Sequence, residues 1–195
     1  FPATAKTTIT TRNVVVTAPA LGATPQTSIA DNGQYTVTVT WSGSPSTFAA
    51  NTIYTATVNI SPKTEYTLAG VAANFFTING NSATTANLVN AGSFQFTFPA
   101  YWQISFVPNG GTGLQSAQYF QTGGTPSALP STSSFTAPTG KSFGGWATSA
   151  TSTTPVTAAY QTESPVTYFA IWTQLSHTVI FDRNGADGAE TMPNQ

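Results

Sequence analysis

Apolar and polar residues alternate with a period of two in three separate stretches of this 195-residue chain, and nothing else in it restricts the fold as strongly. Tyr35, Val37, Val39 and Trp41 share one parity, with Thr36, Thr38 and Thr40 on the other. Tyr54, Ala56, Val58 and Ile60 repeat the pattern, and Phe94, Phe96 and Phe98 repeat it again. Successive side chains of an extended backbone point to opposite faces, so this is the pattern of half-buried antiparallel strands. Threonine suits the wet face because its β-branch fits the pleat without adding charge. Turn clusters separate the runs: Asp31-Asn32-Gly33, Ser42-Gly43-Ser44-Pro45 and Asn79-Gly80-Asn81. Their Asn-Gly pairs supply the positive φ of tight turns. The spacing predicts a β-sandwich over residues 5–100. Its expected core is Tyr35, Val37, Val39, Trp41, Tyr54, Val58, Ile60, Phe96 and Phe98. No window carries a strong period of 3.6; the best helical stretch is Ser82–Leu88, and it is weak. The expected fold class is all-β.

A second regularity concerns organisation. Phe106, Asn109, Gly110 and Gly113 are matched by Phe181, Asn184, Gly185 and Gly188, each 75 residues later. A fixed-period echo marks a repeat array, and because this one breaks off at Gln195 the chain is expected to be a piece of a longer array. Phe1-Pro2-Ala3 and Phe98-Pro99-Ala100 also match, 97 residues apart. The expected parts are residues 1–4, the end of a preceding module; 5–100, the sandwich; 101–174, a second module; and 175–195, the start of a next repeat. That last piece would fray or complete a neighbouring or split domain. In the second module, strands are expected at Trp102–Val107, Ser142–Ala147 and Val166–Trp172, around a core of Ile104, Phe106, Phe143, Trp146, Phe169, Ile171 and Trp172. Between them the Ser/Thr/Pro/Gly-rich tract 122–139 reads as an ordered loop with some extended structure, or as disordered.

Composition removes several functional classes. Charged residues make up 6% of the chain, against roughly 25% in ordinary domains. Aromatics at 12% supply a core that a disordered chain lacks. No apolar run approaches the roughly 18 residues of a spanning helix. A net charge of −1, with Lys6, Arg12, Lys63, Lys141 and Arg183 scattered, offers no footprint for nucleic acid or an anionic membrane. Cysteine is absent, which excludes disulfide and thiolate–metal frameworks and leaves the compartment open.

Reactive constellations are equally sparse. His177 is the only histidine, and as a solvated strand residue it has no partner for zinc or acid–base work. No Gly-x-Ser-x-Gly elbow accompanies it. Asp182–Glu190 resembles a calcium loop only superficially, because Ala186 and Asp187 stand where the loop needs an oxygen ligand and Gly. Asp31, Glu65 and Glu163 lie apart in sequence. A Lys–Asn crosslink would need a buried lysine, whereas Lys63 follows Pro62 at a strand end. Trp41, Trp146 and Trp172 read as core; exposed, such rings could stack on sugars. Tyr101 and Trp102, at the module junction, are the candidate ligand or inter-module contacts. No catalytic, cofactor or metal residue is assigned.

Asn109-Gly110-Gly111 after the strand from Ile104, then Phe143-Gly144-Gly145-Trp146, then Tyr168-Phe169-Ala170-Ile171-Trp172-Thr173, resemble in order the internalin-type B-repeat of bacterial surface proteins, over residues 101–173. Val107 stands where that family usually has Asp, and Asp182 restores it. The resemblance implies a β-grasp-like module with little helix. Residues 14–100, through Tyr54–Val58, Tyr66–Val71, Asn74–Ile78 and Phe98-Pro99-Ala100, are similar to an Ig-like repeat of large bacterial surface proteins. Both resemblances imply a secreted cell-surface adhesin and transfer no catalytic residue. The expected function is therefore a monomeric structural extender that projects a distal binding domain, with neighbouring repeats of the same chain as partners. The alternative is a module binding a glycan or a cell-surface protein. An enzyme is not expected.

Overall fold

A computed structural model describes residues 5–124, 128–157 and 163–178. These residues form strands and no helix, so the chain is all-β. They divide into two compact units. One holds residues 5–104, 118–124 and 163–165; the other holds 105–117, 128–157 and 166–178. The division falls inside a strand, after Ile104, and not in the Pro99-Ala100 connection.

In the first unit the alternating stretches form the main sheet. Strands β3 (Ser28–Ile29), β4 (Tyr35–Trp41), β5 (Tyr54–Pro62) and β9 (Ser93–Phe98) pair antiparallel in that order. Val39 faces Val58 and Trp41 faces Ala56 across the ladder, so one parity of every strand lies on one face. That face is buried at Tyr35, Val37, Val39, Trp41, Tyr54, Ala56, Val58 and Ile60. On β9 the buried residues are Phe94 and Phe98, while Phe96 is only half-buried and packs edge-on to Phe98 at 4.9 Å.

The rest of the core comes from short strands. β1 (Thr7–Thr8) pairs in parallel with β6 (Tyr66–Thr67), and β2 (Asn13–Val14) in parallel with β7 (Thr77–Ile78), which in turn pairs with β8 (Asn81–Ser82). They add Ile9, Val14, Val16, Val71, Phe76 and Ile78 to the same hydrophobic cluster. Asn79 and Gly80 turn β7 into β8 with φ of 50° and 81°, two consecutive left-handed residues as in a type I′ turn. Residues 82–88, the best helical stretch of the sequence, are spent on the sheet. Thr85 exchanges main-chain bonds with Gln95 at 2.8 and 3.2 Å, the Thr97 N–H donates to Thr84 Oγ1 at 2.9 Å, and the outer edge of β9 is thereby covered.

β10 (Tyr101–Val107) begins in the first unit, where β11 (Gln118–Gln121) pairs with Tyr101–Ile104, and runs on into the second. The remaining strands are β12 (Lys141–Ala147) and β13 (Val166–Gln174). In the second unit β12 and β13 pair antiparallel with a register shift between Phe143 and Gly145. Phe143 and Trp146 are three residues apart, so a regular strand would send them to opposite faces. The bulge, with Gly145 at φ 126°, brings their rings within 4.9 Å. On β13 Tyr168, Ala170 and Ile171 are buried, whereas Phe169, expected in the core, is half-buried. Phe106, Phe143 and Trp172 are half-buried as well, around the buried Trp146 and Phe135. The described residues of the 122–139 tract are turns, bends and irregular loop, tied down at one isolated bridge: Thr136 and Thr112 exchange main-chain bonds at 2.8 and 3.0 Å, and Phe135 is buried.

Candidate functional site

Acid–base or metal chemistry needs titratable side chains brought together, and the fold keeps them apart. Among the described residues no group of three His, Cys, Asp or Glu side chains converges. Lys63 pairs with Asp31 at the surface. The Lys63 hydrogen bond, and behind it the Gly33 N–H, holds the Asp31 carboxyl below the usual range. The Arg12 guanidinium lies 6.0 Å from the Phe75 ring centre. Glu65, Glu163, Lys141 and His177 are exposed. The segment 182–190 and Arg183 lie outside the described residues.

The aromatic side chains are the richer set, and the tryptophans are engaged internally. Trp41 Nε1 donates to Gln26 O at 2.7 Å, Trp146 Nε1 to Pro130 O at 2.7 Å, and Trp172 Nε1 to Pro108 O at 2.8 Å. Each ring fills its unit's packing while its N–H fastens a loop, the usual division of labour for a buried indole. Glycines make room for this. A Cβ on Gly111 would lie 2.6 Å from the Trp172 ring and 2.7 Å from Thr136 O, and one on Gly145 would lie 2.7 Å from Pro155. Asn109 adopts φ 46° and its amide donates to Ala150 O at 2.9 Å and Ala170 O at 3.0 Å. The Asn-Gly-Gly and Phe-x-Gly-Trp motifs are thus explained by turn geometry and close packing.

The two residues singled out in the sequence separate. Trp102 lies opposite Phe120 and shares a face with buried Ile104 and Phe120; its Nε1 donates to Thr122 Oγ1 at 2.8 Å. Tyr101 lies on the other face, opposite Gln121, and the next pair on that face is Gln103 with Tyr119. Two tyrosines and two glutamines therefore share one face of β10–β11, with Tyr119 44% exposed. Main-chain groups of β10 are held from beside this face: the Asn51 N–H donates to Tyr101 O at 2.6 Å, and Asn51 Oδ1 accepts from the Gln103 N–H at 2.7 Å. Sequence reasoning missed Tyr119. Its signal is the recurrence of Tyr-aromatic-Gln at 101–103 and 119–121, which in antiparallel register sets each Tyr against a Gln.

Each unit also carries a cavity among its described residues. A cleft of about 410 Å3 beside the β12 bulge is lined by Leu129, Pro130, Phe143, Gly144, Trp146 and Val156 among others, without a titratable side chain. An open groove of about 680 Å3 in the first unit takes in Lys6, Lys63, Tyr66 and Asn90, with Lys63 already paired. Neither contains a nucleophile beside a base. The chain matches no protein-family model, no curated protein and no solved structure.

Proposed function

We propose that the chain is a structural extender of a secreted surface protein, holding a distal binding region away from its point of attachment. One observation carries this reading: the chain enters the first unit at one end and first leaves it at the other. It comes in beside the end of β5, where the Thr7 N–H donates to Glu65 O at 2.9 Å and Gln34 Oε1 accepts from the Thr10 and Thr11 N–H groups at 2.9 Å. It goes out beside the start of β5, where Phe98 pairs with Tyr54 and Asn51 holds Tyr101. A nine-residue β5 at about 3.3 Å per residue makes this separation on the order of 30 Å. Each copy of such a unit in a row adds its own length, whereas units whose ends lie side by side fold back. Sparse titratable groups and internally bonded tryptophans also favour a passive role over a reactive one. The Ig-like reading of residues 14–100, the B-repeat reading of 101–173 and a cell-surface location belong to this proposal.

The test is the contour length of tandem arrays in rotary-shadowed electron micrographs. Length rising in equal steps with copy number supports an extender; arrays that stay compact refute it. A second reading, a glycan-binding module, is favoured by the Tyr101–Gln103–Tyr119–Gln121 face, where the exposed Tyr119 ring, beside the half-buried Tyr101, suits stacking on a sugar. Saturable binding on a glycan array that Tyr119→Ala removes would replace the extender reading with this one.

A further inference from the structure

We propose that residues 7–17 are the load-limiting clamp of the first unit, the element whose rupture sets the force at which that unit opens. The inference rests on the extender reading for its relevance, and on the hydrogen-bond pattern for its content.

This segment runs the length of the unit. It starts beside Lys63 and Gln34 and ends where the Thr17 N–H donates to Gln26 Oε1 at 2.7 Å, next to Trp41. Near each of its ends it runs parallel to its partner, Thr7–Thr8 against Tyr66–Thr67 and Asn13–Val14 against Thr77–Ile78. In a parallel pair, pulling the first strand from its N-terminal end and the body from its C-terminal side slides the strands lengthwise. All the bonds between them then carry load together. An antiparallel hairpin pulled by its two ends instead opens one rung at a time.

The bonds that would share the load extend from one end to the other. The Ile9 N–H donates to Thr67 O at 3.1 Å, Thr8 Oγ1 to Ala69 O at 2.9 Å and the Tyr35 hydroxyl to Thr11 O at 3.1 Å. Farther on, the Thr77 N–H donates to Arg12 O and the Asn79 N–H to Val14 O, both at 3.0 Å. The Asn79 amide then acts as a strand residue in its own right, accepting from the Val16 N–H at 3.0 Å and donating to Val16 O at 2.8 Å. Ile9, Val14 and Val16 plug the segment into the core. At the other terminus β9 is also loaded lengthwise, but against β5 it has six continuous ladder pairs. The parallel pairings of β1 and β2 have two each, so the N-terminal side yields first.

The full chain contains no cysteine, so pulling handles can be placed at will in optical tweezers. One pair joins Lys6→Cys to Ser176→Cys, which loads the clamp in shear. The other joins Ala20→Cys to Ser176→Cys, which bypasses it and peels the short β3. Ala20 and Ser176 are exposed. The expected result is that the first unit opens at a several-fold lower force in the second geometry. Asn79→Gly, which keeps the turn's positive φ and removes the amide, is expected to lower the force in the first geometry only. Equal forces in the two geometries, or an Asn79→Gly effect of the same size in both, overturn the proposal. Neither outcome depends on array length, so the clamp can fail while the extender reading stands, and the reverse.

Discussion

Replacing Asn87 by alanine isolates one buried polar junction of the first unit. Asn87 is 1% exposed, and its Oδ1 accepts from the Phe76 N–H at 3.2 Å. Its Nδ2 donates to Ala72 O and to Leu88 O, both at 3.0 Å. Leu88 O also accepts from the Ala91 N–H at 3.1 Å and so keeps a partner in Asn87→Ala. Ala72 O and the Phe76 N–H lose the side-chain bonds that anchor them. An orphaned buried group costs about 1–3 kcal/mol. Two such groups, with water admitted at the Ala72 side but not beside the buried Phe76, put the loss at roughly 3 kcal/mol. A domain of about 100 residues loses on the order of 4–8 °C of Tm per kcal/mol, so a fall of roughly 15 °C is expected. Calorimetry of the full chain measures it, with Leu88→Ala as the control because Leu88 is 76% exposed. If Asn87→Ala lowers the midpoint no further than Leu88→Ala does, the reasoning about orphaned groups is wrong.

Three further outcomes are expected. Gly111→Ala forces a methyl against the Trp172 ring and Thr136 O and should destabilise the second unit by about 1–3 kcal/mol; thermal melts followed by tryptophan fluorescence read it, and an unchanged midpoint contradicts the packing account. Gln118 Oε1 is buried without a hydrogen-bond partner among the described residues, so Gln118→Met should hold or raise the midpoint, because a costly polar burial is removed; a clear drop in calorimetry argues against it. Asp31 is held below its ordinary value chiefly by Lys63. The stability it adds is therefore present above the unfolded carboxyl pKa and lost as pH falls through the lower folded value. Lys63→Gln should flatten that part of the acid-unfolding curve, and 1 M salt should mimic the variant; a curve that keeps its shape in both cases rules the pair out as its source.

The long strands were legible because their period is local. Tyr35–Trp41 and Tyr54–Ile60 carry the alternation within themselves, and Asn79-Gly80 announces its turn by residue type alone. The two-residue strands were not legible: Thr7 meets Tyr66 and Asn13 meets Thr77 across long stretches of sequence, and no pattern inside a dipeptide encodes a distant parallel partner. Val14, Phe76 and Ile78 were therefore missing from the expected core. Phe169 was misplaced for a different reason. Val166–Trp172 is apolar on both parities, so the run itself does not say which side faces the core, and the structure buries Tyr168 and Ala170, the parity opposite to Phe169. At the candidate surface Tyr101 was visible, but the face it shares with Tyr119 depends on a four-residue strand too short to announce itself.

The cover over the outer edge of β9 has a consequence for manufacture in the cell. An open strand edge is a template for any similar strand nearby. In the tandem array that the extender reading proposes, copies on one chain would meet at effective concentrations of about a millimolar, before the last of them has finished folding. Thr84 and Thr85 occupy the bonding groups around Gln95 and Thr97, and at the other margin of the sheet β3 is only two residues long. Under that proposal neither margin would offer a newly made sibling a run of free rungs, and adjacent copies would mature side by side without exchanging strands.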